Sequence, residues 1–209
     1  AMRLTGVTHS VEITTIADIP SRGTGLGSSS ALTVGLLHAL HTYAGHTPDA
    51  AQLAEEACRI EIEILGQPIG RQDQYAAAFG GSNQIAFHSD DTVIVTPIEL
   101  DEETLASNYF LAYTGITRKA SDILAKQSAS TDNKRAELDA LRQQAIAVRT
   151  ALESGDHATV GQLLASSWQI KRNLVDGITG TALDELYASV IKLGASGGKL
   201  LGAGGGGFF

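Results

Sequence analysis

The chain has 209 residues, 43% hydrophobic and 18% charged, a globular composition that allows one large domain or two small ones around a buried core. Its formal net charge of −8 argues against nucleic acid as a partner, because phosphate backbones reward a basic surface. One cysteine, Cys58, excludes an intrachain disulfide framework and suits a reducing, cytoplasmic setting, and the longest mostly apolar run, residues 31–40, is too short to span a membrane and contains His38.

In chain order, residues 11–16 (VEITTI) alternate β-branched and polar positions and predict a strand. Residues 20–27 form a glycine-rich loop, and residues 28–43 predict a helix with Leu32, Leu36, Leu37 and Leu40 as its apolar positions. A second helix is expected over 49–65, capped by Thr47 or Asp49 and broken by residues 66–70. A short helix over 72–79 follows, then strands over 92–98 and 109–113. Beyond Gly115 the pattern is helical, over 134–152 (stripe Leu138, Leu141, Ala145, Val148), 156–174 and 182–193. The change of pattern near 100–108 divides the chain into domains of 1–104 and 105–209, and the mixture of elements predicts an α+β class. Both ends read as truncated, with Phe208 and Phe209 opening a strand that does not continue.

The run Gly23-Thr24-Gly25-Leu26-Gly27-Ser28-Ser29-Ser30 joins the predicted strand to the predicted helix. Glycines let a backbone come close to a ligand, and the helix start offers unpaired N–H groups and the positive end of its dipole to an anion. The run is not a Walker A loop, since no Gly-Lys-Ser/Thr follows. Three glycines and three serines at a helix start favour an anion site over a simple capped turn. Further on, Glu61 has Ala54, Ala57, Cys58, Ile64 and Leu65 as its helical neighbours, so its carboxylate is expected to be desolvated and to need a cation or a donor network. Spacing alone leaves two readings, a Mg²⁺ ligand or a structural glutamate paired with an arginine. Asp73, taken by itself, reads as an acid at a helix N-terminus. The stretch Gly197-Gly198-Lys199-Leu200-Leu201-Gly202-Ala203-Gly204-Gly205-Gly206-Gly207 lacks the polar residues of a linker and follows a periodic helix.

These segments together resemble the GHMP kinases, a family of small-molecule kinases, over essentially the whole chain. Pro20 with Gly25-Leu26-Gly27-Ser28-Ser29 is similar to the family's phosphate loop, although Arg22 lengthens the spacing from the proline. A glutamate five residues before the glycine of a Gly-x-Pro turn falls on Glu61, and an aspartate after that turn falls on Asp73. The second glycine run resembles the family's third motif, a loop that packs beside the first. The resemblance implies a two-domain fold with a ribosomal S5 domain 2-like N-terminal part and a ferredoxin-like, helix-rich C-terminal part. It implies ATP and Mg²⁺ as cofactors, Gly23 to Ser30 around the nucleotide phosphates, Ser29 and Glu61 on the metal, and Asp73 on the acceptor hydroxyl; Arg71 or another nearby cation could keep Asp73 ionised.

Residues 70–81, 113–118 and 198–208, with Trp168, Lys171 and Arg172, are similar to the branch of the family that phosphorylates a heptose phosphate at its anomeric hydroxyl. The expected partner is therefore a small sugar phosphate, met by Arg71, Thr114, Gly115, Thr117, Arg118, Lys171, Arg172, Gly204 and Gly205. For Lys171 and Arg172 a solvated helix face is an equal reading. No nucleic acid or membrane partner is expected, a homodimer is compatible, and two rivals stay open: a fucose- or galactose-type kinase, and an inactive nucleotide-binding fragment.

Overall fold

The structure is a computed structural model that describes residues 1–17, 24–117, 123–125, 127 and 131–209. The described residues fall into two compact units, one of 1–17 and 27–96, the other of 24–26 and 97–209.

The first unit is built on helices. After a single turn, α1 (Met2–Thr5), the helix α2 (Ser28–Tyr43) begins at Gly27, whose φ of 68° supplies the left-handed step that turns the glycine loop into the helix. No side chain among the described residues caps this end. Helix α3 (Ala50–Cys58) is capped by Asp49, whose carboxylate accepts from the Gln52 amide at 2.8 Å. It does not run on as an α-helix to residue 65. Arg59–Ile64 is a π-helix, and the Leu65 amide donates to the Ile60 carbonyl at 2.9 Å. Helix α4 (Gln72–Phe79) follows, then β1 (Asn83–Phe87) and β2 (Val93–Pro97), which form a two-stranded sheet. Val34, Leu37, Leu53, Ala57 and Ile60 make one core cluster, and Ala54, Cys58 and Tyr75 make a second that packs under Ile85, Val93 and Val95. His41 of α2 is buried and its Nε2 meets the Glu56 carboxylate of α3 at 2.7 Å, a polar tie between the two helices.

The second unit contains α5 (Glu102–Asn108), capped by Asp101, then a 3₁₀ turn (Thr131–Lys134), α6 (Arg135–Glu153), α7 (His157–Arg172) and α8 (Thr181–Lys192). Trp168, fully buried, centres its core with Leu174, Ile178, Leu183, Leu200 and Phe209. Leu138 and Leu141 of the predicted α6 stripe pack against this core.

Several expectations are corrected. Residues 11–16 form no strand; Ile13 and Ile16 are exposed, and among the described residues no neighbour offers a ladder of hydrogen bonds to them. The strand predicted over 109–113 shrinks to an antiparallel bridge between Tyr113 and Phe208, flanked by Ala112–Phe209 and Thr114–Gly207 backbone bonds. Leu32 is exposed, and Val34 takes its place on the buried side of α2. The turn α1, the strand β1 and the helix α5 were not anticipated from the sequence. No helix among the described residues is long and apolar enough to cross a membrane.

Candidate active site

The first unit gathers three polar side chains around one carboxylate. Glu61 is 2% exposed, and Ser29 and Ser30 in the first turn of α2 both donate to it, Ser29 to Oε1 and Ser30 to Oε2 at 2.7 Å. Gln74 of α4, itself fully buried, donates from Nε2 to the same Oε2 at 2.6 Å. The two oxygens are therefore unlike. Oε2 is held by two buried donors, whereas Oε1 faces Ser29, whose residue stays open to solvent. An acceptor carrying such a donor network is a stable way to bury a charge.

The π-helix changes the surroundings that spacing predicted. Ala54, Ala57 and Cys58 are buried as expected, but Ile64 and Leu65 are both 61% exposed. The wider π turn rotates the residues after it away from the face that an α-helix would give them. Glu61 accepts from two serines and a glutamine, and no arginine pairs with it among the described residues.

Asp73 lies in the first turn of α4, directly against Gly27: a Cβ built on that glycine would stand 3.5 Å from the Asp73 Cβ, Cγ and Oδ2. The aspartate keeps an exposed face, yet the atoms crowded around its carboxyl raise its pKa above the ordinary value, and the nearby Glu61 charge raises it further. Arg71 does not offset this. Its guanidinium donates to the Tyr75 hydroxyl and the Asp91 carbonyl, both at 3.3 Å, and stands 3.7 Å from the Asp91 carboxylate. The expectation that Arg71 keeps Asp73 ionised is thus overturned, because the arginine lies over the Tyr75 ring on its own helix and is engaged there.

The oxygen set of Ser29 and Glu61 suits a hard cation such as Mg²⁺, which takes one or two protein ligands and completes its shell with water and phosphate oxygens. Among the described residues no three His, Cys, Asp or Glu side chains converge as a metal cage. Two clefts of about 400 and 600 Å³ open elsewhere in this unit, one beside His38 and Leu53, the other beside Phe79 and Val93; neither is lined by Ser29, Glu61 or Asp73.

In the second unit the two glycine runs meet. A Cβ on Gly202 would stand 2.7 Å from the Gly25 Cα, and one on Gly25 would stand 2.9 Å from the Leu201 carbonyl oxygen. Only glycine at both positions permits such an approach. Gly204 and Gly205 are buried, and the Gly205 amide donates to Ile178 at 2.8 Å. Thr114 joins them, while Gly115 is exposed. The Thr114 hydroxyl donates to the Gly207 carbonyl at 2.8 Å and accepts from the Ile116 amide at 3.2 Å, so it is occupied in tying the loop rather than presented outward. Thr117 is exposed.

Lys171 and Arg172 occupy neither a solvated face nor an open phosphate site. Lys171 is buried and donates to the carbonyls of Leu200, at 3.3 Å, and Gly202. Burial first, and then the neighbouring Lys199, push its pKa down to about 8. Arg172 pairs with Asp184 at 2.7 Å. Gly23 and Arg118, with Pro20 and Arg22, lie outside the described residues. Sequence reasoning missed Gln74 as a partner of Glu61, although one signal was available: a glutamine beside Tyr75, Ala77 and Ala78 on the inner side of α4.

The chain belongs to the GHMP kinase family: the GHMP kinases N terminal domain matches residues 1–81 and the GHMP kinases C terminal matches residues 148–209. Its α+β, helix-rich architecture with a small sheet is the fold of that family. Among curated proteins it is 38% identical, over 95% of its length, to D-glycero-alpha-D-manno-heptose 7-phosphate kinase of Campylobacter jejuni, of which it covers 60%. It is 30% identical, again over 95% of its length, to the L-fucokinase/L-fucose-1-P guanylyltransferase of Bacteroides fragilis, of which it covers 22%. A solved D-glycero-D-manno-heptose 1-phosphate kinase from Bacteroides thetaiotaomicron superposes with a TM-score of 0.68 at 28% identity, over 91% of this chain and 53% of that one. The chain thus spans little more than half the length of these two heptose kinases.

Proposed function

We propose that the protein is a sugar kinase that transfers the γ-phosphoryl group of ATP to the anomeric C1 hydroxyl of a heptose 7-phosphate, a step toward nucleotide-activated heptose. The observation that carries this reading is the placing of Glu61 and Asp73 at the uncapped start of α2, one bound by Ser29 and the other against Gly27. The greater identity to the Campylobacter enzyme than to the fucokinase supports the heptose branch.

In this reading the run from Gly23 to Ser30 receives the nucleotide phosphates, with the α2 dipole favouring their charge. Ser29 and Glu61 would hold Mg²⁺, which would supply positive charge to neutralise the phosphoryl group. Ser30 and Gln74 fix Glu61 through its other oxygen. Asp73 orients the sugar hydroxyl and accepts its proton as the hydroxyl oxygen bonds to phosphorus and the bond to the ADP oxygen breaks. Positioning and charge stabilisation, rather than covalent intermediates, supply the rate.

A coupled ADP-release assay across phosphorylated and plain sugars tests the proposal. ADP release with a heptose 7-phosphate and not with plain fucose or galactose is expected. Turnover restricted to a plain hexose would move the protein to the fucose- or galactose-type kinases, and no turnover with any sugar would leave a nucleotide-binding protein.

A further inference from the structure

We propose that Lys171 is a positioning residue for the phosphate loop: from α7 it fixes the second glycine turn on which Gly25 rests. This rests on the kinase reading above only for its functional consequence.

A buried ammonium is unfavourable unless its charge is used, and an apolar side chain of the same length would pack at that site without the penalty. Among the described residues no carboxylate pairs with Lys171, and Lys199 adds a like charge nearby. What the ammonium has instead is two backbone carbonyls, those of Leu200 and Gly202. They flank the Leu201 carbonyl, the group that lies against Gly25. Leu200 is fully buried in the Trp168 core, and the Leu201 amide donates to Phe208 at 2.9 Å, so the rest of the turn is anchored behind the lysine.

Contact between the two turns leaves no slack. With backbone against backbone, as at Gly25 and Gly202, a shift of the Leu200–Gly202 peptides moves Gly25 directly. Gly25 in turn stands two residues before Gly27, where α2 begins. Lys171 therefore acts on a bound nucleotide through Gly202 and Gly25, without touching it. A displacement of the loop weakens phosphate binding in ground and transition states alike, which raises KM more than it lowers kcat.

The full chain with Lys171→Met and Lys171→Arg tests this. Hydrogen exchange of the amides over 24–27 and 200–205 is expected to accelerate roughly tenfold in the Met variant, the scale of a lost charged hydrogen bond, and to return near wild type in the Arg variant. The KM for MgATP is expected to rise roughly tenfold in the Met variant with kcat and the sugar KM nearly unchanged. Wild-type exchange and wild-type nucleotide KM in a folded Met variant would overturn the proposal. If the Met variant does not fold, the wild type decides: at pH 6 the Lys171 ¹⁵Nζ resonance should be protected from exchange and show couplings across hydrogen bonds to the Leu200 and Gly202 carbonyl carbons, and an unprotected, uncoupled resonance would overturn it. Accelerated exchange in the Met variant of a chain that turns over no sugar would separate the two readings, supporting the tether while removing the kinase.

Discussion

Two carboxylates close to one another carry different burdens in this protein. Glu61 is buried and answered by three donors, while Asp73 meets the Glu61 charge without a counter-cation among the described residues. Its raised pKa has consequences with definite signs. The folded chain holds the Asp73 proton to higher pH than the unfolded chain does. The stability linked to that proton is fully present below the ordinary aspartate pKa of 3.8 and is lost as pH rises through the raised folded value. Activity runs the other way, since a base must be deprotonated, so kcat/KM should climb with pH through the same raised value. Asp73→Asn is expected to lower turnover by about 10²–10⁴, to erase that acidic limb and to raise the thermal midpoint at neutral pH, while nucleotide binding persists. Near-normal turnover at saturating sugar would remove Asp73 from the base role.

The neighbouring serines divide the work on Glu61. Ser30 is buried on Oε2, and Ser29 is open on Oε1. Ser30→Ala should cost about 1–3 kcal/mol in urea unfolding, because a buried carboxylate loses a donor. Ser29→Ala should cost less stability and instead shift the magnesium titration of activity to higher concentration, as should Glu61→Gln. A magnesium dependence unchanged in both Ser29→Ala and Glu61→Gln would take the pair out of the metal shell.

At the scale of elements, the π-helix and the two glycine turns do what regular structure cannot. The π turn Arg59–Ile64 sets Glu61 inward and releases Ile64 and Leu65 to the surface. Gly202, at a φ of 61°, combines a left-handed conformation with the closest backbone approach to Gly25. Gly202→Ala is therefore expected to destabilise the second unit by roughly 1–3 kcal/mol from backbone strain, with the contact adding to it. Trp168, in the core that Leu200 enters, gives the readout: its fluorescence transition should move to lower urea. Most of the longer helices were legible in their sequence. Residues 28–43 and 72–79 end where predicted because a glycine loop stands before the first and Gly80, at a φ of 63°, closes the second. The strand expected over 11–16 was not legible, since alternation describes a face, and a strand also needs a neighbour to hydrogen-bond.

For the molecule as a whole, a ligand that binds only the folded chain must stabilise it. MgATP at about 100 times its Kd should add roughly 2.7 kcal/mol to unfolding, visible as a higher thermal midpoint, and ATP with a chelator should add less. An unchanged midpoint in saturating MgATP would count against the nucleotide site.

Sequence alone determined the family, the longer helices outside the π turn, and which residues to watch: the Gly25-Leu26-Gly27-Ser28-Ser29 run, Glu61, Asp73 and the second glycine run. Those features are local, being spacings and compositions that survive without coordinates. Tertiary structure decided what the side chains meet. It turned Arg71 away from Asp73, buried Lys171 against two carbonyls, brought Gln74 to Glu61 and set Gly202 on Gly25. The reason is that a hydrogen bond or a close contact is fixed by distance across the fold, and helical periodicity cannot count a π turn that widens the helix by one residue.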